Sequence, residues 1–439
     1  MTRVTRPRHP STTRRPGRGH HPFLGVVRGP ERDEESLPGI GTDAAEPEPE
    51  ATPGLTRPPP TAAPAQRAER RRRAPGPCPP GHAAYRTCRK VGPPVPRVGP
   101  VNSEPRDTDQ AYALLGLADQ LIHARALQIA AELGVADLLT EGPRPCGDLA
   151  EETGVDPDAL HRLLRLLASR GVFQESGPGV FGLTRMGGPL RSDHPATVRS
   201  VLVMDSTVAP LIFGGVEHSL RTGEPTFPTV TGEDFYDYLE HHPEEGQVFD
   251  RAMDDLTRIT APVVLDAYDL SDTRLVVDVG GGSGTFMSAL LRRHPDVTGV
   301  VLDTPRVVEV AAERLRAEGL ADRCSTVSGD FFEGVPGDGD LYVLKWILHN
   351  WSDERAVEIL RSCRRAMKPR SRLLAVESML PEDDSEHPGK SMDLAMLVVS
   401  GGRERSEREL ADLLSRAGLR LERVIPTASP YSLVEAVTA

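Results

Sequence analysis

The chain has 439 residues, and its 52 Lys and Arg are outnumbered by 64 Asp and Glu, giving a net charge of −12. This length allows two or three domains. Residues 1–105 carry 18 basic and 10 acidic residues, a net charge of +8, whereas the remaining residues carry −20. The acidic body argues against a nucleic-acid-binding enzyme, because binding to phosphates requires a basic surface.

The cysteines and the apolar segments exclude further classes. The five cysteines are scattered, with no C-x-x-C pair and no zinc-like Cys/His spacing, so we expect neither a disulfide framework nor a metal site. The basic N-terminus lacks the apolar segment of a secretory signal, and no apolar run is long enough to cross a membrane. The sequence therefore predicts a cytoplasmic protein with neither a nucleic acid nor a membrane as partner.

Residues 1–105 are predicted to form a disordered tail. They contain 22 of the 41 prolines and the run Arg70 to Arg73, and they have few aliphatic residues. Such a segment buries too little apolar area to offset the entropy of ordering it. Two interpretations stay open: a flexible interaction arm whose arginines contact an anion, or an inert segment, which a wrongly assigned start codon would produce.

Residues 106–195 follow a winged-helix pattern. Apolar residues at helical spacing predict a helix over 109–139, and a helix-turn-helix follows at 146–170, with Asp156 as N-cap and Pro157 at the first helical position. A short β wing is predicted around residues 177–179. The pattern favours a protein–protein contact domain. A DNA-binding regulator is the alternative, but the second helix has few basic residues and acidic neighbours.

Residues 196–265 are predicted to be mostly helical, as a linker beside the catalytic domain. Phe235, Tyr236 and Tyr238 form an aromatic stretch, and Phe249 and Met253 lie on a following helix. These side chains either fill the core or line an apolar pocket for a substrate.

Residues 266–439 alternate between predicted strands and helices, which indicates a doubly wound α/β domain. Strands are predicted at Leu275–Val279, 298–302, 341–344 and Arg372–Glu377, with another ending near Gly329. The chain closes with a predicted hairpin formed by 419–425 and 431–437.

A glycine-rich loop follows the first of these strands. Asp278, Gly280, Gly282 and Gly284 form D-x-G-x-G-x-G, in which the glycines let a ligand lie against the backbone. The dinucleotide pattern G-x-G-x-x-G and the P-loop lysine are both absent, so pyrophosphate binding is disfavoured. Asp303 ends the second strand, where a carboxylate accepts ribose hydroxyls. Together with an aspartate at the end of the third strand, these signals indicate S-adenosyl-L-methionine (SAM).

Residues 107–439 resemble the class I SAM-dependent O-methyltransferases of small molecules that carry an N-terminal winged-helix dimerisation domain. These include the plant phenolic enzymes and the bacterial carminomycin-type polyketide enzymes. The resemblance implies a homodimer formed through residues 106–195. It is carried by 278–284, by LDTP at 302–305, GDFF at 329–332, LKWILHNWSD at 344–353 and GGRERS at 401–406.

The resemblance also implies roles for individual residues in cofactor binding. Asp303 would hold the ribose, and Asp330 and Phe331 would contact the adenine. Lys345 would close the cofactor site, and Trp351 would stack on the adenine. The full set implied to bind the cofactor is Arg251 (at the methionyl carboxylate), Asp278, Gly280, Gly282, Gly284, Asp303, Asp330, Phe331, Lys345 and Trp351.

His349 is the expected base, since it follows the fourth strand at the edge where open α/β sheets bind their ligands. An imidazole can take the proton of a phenol as its oxygen attacks the methyl group. Glu377 and Glu404 match the acidic residues that flank this histidine in plant members and are expected to orient the ring. Asn350 departs from the plant pattern, which has Asp there. The resemblance to bacterial members also implies that transfer can rest mainly on alignment of the reactants, so that His349→Ala would reduce activity rather than abolish it.

The sequence therefore predicts a homodimeric SAM-dependent O-methyltransferase acting on a hydroxyl, typically phenolic, of an aromatic secondary metabolite. Two alternatives remain. One is a repurposed member that uses SAM in hydroxylation or decarboxylation of a polyketide, and the other is a SAM-binding helix-turn-helix regulator. The acceptor is not identified, and N- or C-methylation stays open.

Overall fold

A computed structural model describes residues 107–439 of the chain. The predicted disordered tail, residues 1–105, lies outside the described residues. No helix among residues 107–439 is both long and apolar enough to cross a bilayer.

The first described block contains the predicted helix-turn-helix and β hairpin. The single helix expected over 109–139 is divided into three, and Gly134 adopts a left-handed φ of 65° before the last of them. The Asp156 side chain accepts a hydrogen bond of 2.9 Å from the Ala159 N–H, confirming the predicted N-cap. The elements are α1 Asp107–Ala118, α2 Gln120–Glu132, α3 Val135–Leu138, β1 Arg144–Pro145, α4 Cys146–Thr153, α5 Pro157–Ser169, β2 Phe173–Gly177 and β3 Val180–Leu183.

A small core holds this block together. Leu149 of α4 and Leu164 of α5 pack with Phe173 and Phe181 of the three-stranded sheet, whose order is β1-β3-β2. By contrast, α1 has no buried residue. The apolar residues of α1 are therefore exposed in the described part of the chain.

A helical region follows, as predicted. It comprises α6 Arg199–Thr222, α7 Phe227–Thr231, α8 Phe235–His241 and α9 Pro243–Ala267. The expected boundary at residue 265 falls inside α9. The end of α9 packs into the core of the large sheet through Ala261, Val264 and Leu265, so α9 is more than a connecting segment.

The large sheet has seven strands in the order β6-β5-β4-β7-β8-β10-β9. The first five of these pair in parallel, and β10 lies antiparallel between β8 and β9. Val276 and Val277 of β4 belong to cores on opposite faces, because successive strand residues alternate. The strands are β4 Leu275–Val279, β5 Thr298–Asp303, β6 Cys324–Ser328, β7 Leu341–Lys345, β8 Arg372–Glu377, β9 Leu419–Pro426 and β10 Ser432–Thr438.

The helices of this doubly wound domain are α10 Thr285–Arg293, α11 Pro305–Ala317, α12 Asp353–Ala366, α13 Pro388–Val399 and α14 Glu407–Arg416. The sequence analysis missed α13. Its Met392 and Leu394 are 41% and 40% exposed, so its apolar residues do not form the single buried stripe from which a helix is recognised. The remaining helices of this domain alternate with the parallel strands, as predicted for a doubly wound domain.

Candidate active site

The backbone turns sharply after β4. Gly280, Gly282 and Gly284 adopt φ angles of 69°, 59° and 76°, a region that residues with a side chain rarely occupy. A Cβ atom on Gly280 would lie 2.5 Å from Cδ1 of Ile347. There is thus no room for a side chain at Gly280, whereas at Gly282, where a Cβ atom would meet nothing within 4 Å, the loop is open to a ligand.

Asp303, at the end of β5, is tied to this loop. Its Oδ2 accepts a 2.8 Å hydrogen bond from the Gly282 N–H, and its Oδ1 accepts one of 2.8 Å from the Thr304 N–H. Burial raises the pKa of Asp303 more than these donors lower it. Each carboxylate oxygen retains a lone pair, so the group can also accept from two vicinal hydroxyls.

A buried carboxyl and a buried amine lie beneath the loop. Asp278 is 1% exposed, and its Oδ2 has no partner among the described residues. Burial raises the pKa of Asp278 to about 7 and lowers that of Lys345 to about 8, and the attraction between the two opposes both shifts. The Nζ of Lys345 donates to Oγ1 of Thr257 at 3.0 Å. An unpaired buried carboxyl oxygen marks a position where a ligand donor would be favourable.

Aromatic rings surround Trp351. Phe331 meets it edge-on at 6.2 Å between ring centroids, and Phe332 does so at 4.9 Å. Tyr236 of α8 stacks on it at 5.8 Å with 19° between the planes. Asp330 is exposed beside these rings, and its Oδ1 accepts from the Phe332 N–H at 2.8 Å. Tyr236 was predicted only as core or pocket lining, since nothing in the sequence brings α8 to residue 351.

Arg251 lies on α9. Its side chain is exposed and lines a cavity of about 300 Å³. One turn later on α9, Asp254 bonds directly to the glycine loop: its Oδ1 accepts from Ser283 and, at 2.7 Å, from Oγ1 of Thr285. The contact of α9 with the loop is thus made by Asp254, which the sequence analysis missed. The other residues lining the cavity are Ser192, Thr197, Arg199, Ser200, Asp254, Asp255 and Arg258.

His349 lies in a short 3-10 turn, Leu348–Asn350, that follows β7. Its Nδ1 is 2.8 Å from Oε1 of Glu404, and the two side chains are 14% and 1% exposed. With Nδ1 donating to the carboxylate, Nε2 carries the free lone pair. Burial lowers the pKa of His349, but the bond to Glu404 and the charge of Glu377 outweigh it, so the net shift is upward.

Glu377 contributes differently from Glu404. Its Oε1 accepts the Leu348 N–H at 3.0 Å, whereas its buried Oε2 has no partner among the described residues. The sequence analysis expected both glutamates to orient the imidazole. In the structure, Glu404 contacts the ring, and Glu377 holds the backbone before it. Burial, opposed by His349, raises the pKa of Glu377 to about 7.

The glycine loop, the carboxylate at the end of β5 and the aromatic cluster meet at the carboxyl edge of the parallel strands, where open α/β sheets bind ligands. The glycine loop forms a narrow cradle, Asp303 has free lone pairs for hydroxyls, and Asp278 has an unpaired buried carboxyl oxygen. Together these features fit a nucleoside bearing an amino group. The residues present therefore fit SAM.

Comparisons with known proteins agree with this geometry. A model of the O-methyltransferase domain matches residues 213–420, and one of the O-methyltransferase dimerisation domain matches 115–190. The chain is 44% identical to the phenazine O-methyltransferase of Lysobacter antibioticus over 71% of this chain and 92% of that relative. It is also 44% identical to the O-demethylpuromycin-O-methyltransferase of Streptomyces alboniger, over 74% and 88% of the two chains.

Solved structures give the same result. An O-methyltransferase from neocarzinostatin biosynthesis, in complex with SAM and 2-hydroxy-5-methyl naphthoic acid, is 38% identical. The match has a TM-score of 0.63 and covers 72% of this chain and 96% of that one. The chain therefore belongs to the O-methyltransferase family and is a SAM-dependent O-methyltransferase that carries the family's dimerisation domain.

Proposed function

We propose that the acceptor is a phenolic hydroxyl of an aromatic small molecule and that His349 is the base. The observation that carries this proposal is the bond from Nδ1 of His349 to Glu404, which leaves Nε2 free on a side chain that is still 14% exposed. Glu377, beside it, binds the Leu348 N–H through Oε1, and its Oε2 is fully buried. The imidazole is thus the group best prepared to take a proton from an entering ligand.

The chemistry requires a proton acceptor beside the attacking oxygen. A phenol has a pKa of about 10, so at neutral pH little of it is ionised. SAM, when bound, supplies a methyl group on a sulfonium sulfur, which an oxygen nucleophile can attack. Nε2 of His349 takes the phenolic proton as the oxygen attacks, and the carboxylate of Glu404 stabilises the resulting imidazolium. Because Glu404 fixes the ring, the base is held in one orientation.

The cofactor residues are assigned on the same basis. We assign the ribose to Asp303, the adenine to Asp330, Phe331 and Trp351, and a closing role to Lys345. The backbone around Gly280, Gly282 and Gly284, with Asp278 beneath it, forms the cradle. Arg251 is proposed to meet the methionyl carboxylate, which is supported by its position one turn from Asp254 and by its exposed side chain.

We further propose that the protein is a homodimer assembled through its winged-helix domain. Six large apolar residues of α1 and the start of α2 are 54% to 74% exposed, which is unusual for two adjacent helices. A second copy of the same surface is the natural cover, since homodimeric contacts are self-complementary. The exposed residues are Tyr112, Leu114, Leu115, Leu117, Leu121 and Ile122.

The test is incubation of the protein with methyl-labelled SAM and a panel of phenolic aromatic compounds, with products followed by mass. We expect a gain of one methyl group, with a rate about 100-fold lower in His349→Ala. His241→Ala, at an exposed histidine paired with Glu233, is the matched control and should keep the wild-type rate. A product that gains oxygen or loses a carboxyl group would contradict the proposal and indicate the repurposed enzyme.

The same experiment also distinguishes the proposed role of His349 as base from the transferase activity itself. If methylation persists undiminished in His349→Ala, the transferase activity stands, and transfer depends on alignment of the reactants rather than on a base.

A further inference from the structure

Arg405 is a buried arginine, 3% exposed, whose guanidinium binds three points on the segment that carries His349. Its Nη1 donates to the carbonyl of Leu348 at 2.9 Å, and its Nη2 donates to the carbonyl of Trp351 at 2.8 Å. Its Nε donates to Oδ1 of Asp353 at 2.9 Å, at the start of α12. The planar group thus spans the segment from its first residue to the helix that follows.

The same segment is held from other directions. Glu377 accepts the Leu348 N–H, and the Arg403 N–H donates to the carbonyl of His349 at 2.8 Å. Gly402 packs against that carbonyl so closely that a Cβ atom there would lie 2.1 Å from it. Backbone groups on both sides of His349 are therefore fixed, and Arg405 binds both ends of the turn.

We infer that Arg405 is a positioning residue that locks His349 and Trp351 into one rigid unit, so that the base and the adenine-stacking ring are placed together. This inference rests on the proposed function, because that function gives the two residues their roles. Arg405 itself does not reach the ligand: its side chain is 2% exposed, and its bonds go to backbone and to Asp353. Its effect is exerted through the segment it holds.

The guanidinium also acts on His349 through its charge. The charged and titratable groups around the imidazole are Glu404 and Arg405 from the loop before α14, and Glu377 from β8; the glutamates are in turn faced by Tyr431, next to β10. Glu377 and Glu404 raise the pKa of His349, whereas Arg405 lowers it. Loss of the Arg405 charge should therefore raise the pKa of His349.

The two tryptophans of the chain, Trp346 and Trp351, both lie beside this turn, so intrinsic fluorescence reports directly on it. In Arg405→Met we expect altered emission and SAM affinity, measured by fluorescence titration, weakened by about 10-fold. The midpoint of the acidic limb of kcat should move to higher pH, with kcat lower by 10- to 100-fold, on the order expected for a displaced catalytic group. Arg408→Met, at an exposed arginine, should behave as the wild type.

Arg405→Lys keeps the charge but cannot reach both carbonyls. In this variant the midpoint of the acidic limb of the pH–kcat profile should stay near that of the wild type, while kcat and the tryptophan emission still change. It also serves as the test if Arg405→Met does not fold. Unchanged emission, SAM affinity and pH midpoint in a folded Arg405→Met would overturn the inference. If the wild type binds SAM but methylates no acceptor, the proposed function fails, while the fluorescence titration still decides whether Arg405 positions the turn.

Discussion

Nδ1 of His349 lies 2.8 Å from Oε1 of Glu404, and both groups are almost entirely removed from solvent. The pair resembles in form the carboxylate–imidazole pairs of other enzymes that use a histidine as base. The buried carboxylate fixes the tautomer and leaves Nε2 free.

Replacement of Glu404 should therefore change both the rate and its pH dependence. The bond to Glu404 and the charge of Glu404 raise the pKa of His349. In Glu404→Gln the charge is lost, so that pKa falls and the acidic limb of the pH–kcat profile moves to lower pH. We expect kcat to drop by at least about 10-fold, since the imidazolium is no longer stabilised.

The matched control for this profile is Glu407→Gln, on the exposed face of α14. It should leave both the midpoint and kcat unchanged. An acidic limb that stays in place in Glu404→Gln would show that His349 is not the titrating group.

Asp303 should govern cofactor affinity. Asp303→Asn keeps one acceptor for a backbone N–H but loses the charge and the second acceptor, which weakens charge-assisted bonds to hydroxyls. We expect the Kd of SAM, measured by calorimetry, to rise by about 10-fold or more. Asp322→Asn, at an exposed loop position, provides the comparison. A change of less than about twofold in Asp303→Asn, with the unfolding midpoint retained, would remove Asp303 from the binding site.

Glu377 should make the protein less stable as the pH rises. Its pKa is raised from 4.5 to about 7 by burial, so the folded state holds a proton that the unfolded state has lost between these values. The free energy of unfolding therefore falls as the pH rises through this window. Glu377→Gln still accepts the Leu348 N–H and has no charge to bury. The free energy of unfolding of this variant, relative to that of the wild type, should therefore grow from pH 5 to pH 8, reaching a difference of about 1–3 kcal/mol.

Urea unfolding at the two pH values measures this difference. Glu382→Gln removes a carboxylate that is 68% exposed and should show no such growth. If the difference in free energy of unfolding between Glu377→Gln and the wild type is equal at both pH values, Glu377 does not change its protonation in this range.

The apolar surface of α1 and α2 should control the oligomeric state. A charge at Leu117, which is 62% exposed, would be buried in the proposed contact between two copies and would be costly there. We expect Leu117→Asp to convert the dimer to a monomer in light-scattering measurements. Val310→Asp, on α11, is the control and should leave the mass unchanged. A wild-type protein that is monomeric at micromolar concentration would contradict the proposed homodimer.

Most of the fold followed from local signals in the sequence. Four of the five parallel strands, β4, β5, β7 and β8, contain apolar runs, and the glycine loop, Asp303 and His349 lie at or shortly after the ends of three of them. The N-cap at Asp156 also follows from its neighbours. Features of this kind depend on residues close in the chain, and the structure confirms them.

The missed features depend on residues far apart in the chain. Tyr236 reaches Trp351 only because α8 packs over the sheet edge, and Asp254 meets Ser283 only because α9 lies along the loop. Arg405 was visible in the sequence as part of GGRERS, yet its targets are backbone carbonyls, which leave no trace in residue identity. Positions like these become apparent only when the chain is folded.

The position of β10 has a consequence for how the sheet is assembled during synthesis. The ribosome makes β8 and then β9 before β10, but β10 occupies the place between them, with Ser432 opposite Glu377. Until β10 has emerged, β9 has no neighbouring strand in the sheet, and the hydrogen-bonding edge of β8 that carries Glu377 is unpaired. Closure of the sheet next to the turn that carries His349 thus cannot precede the synthesis of β10.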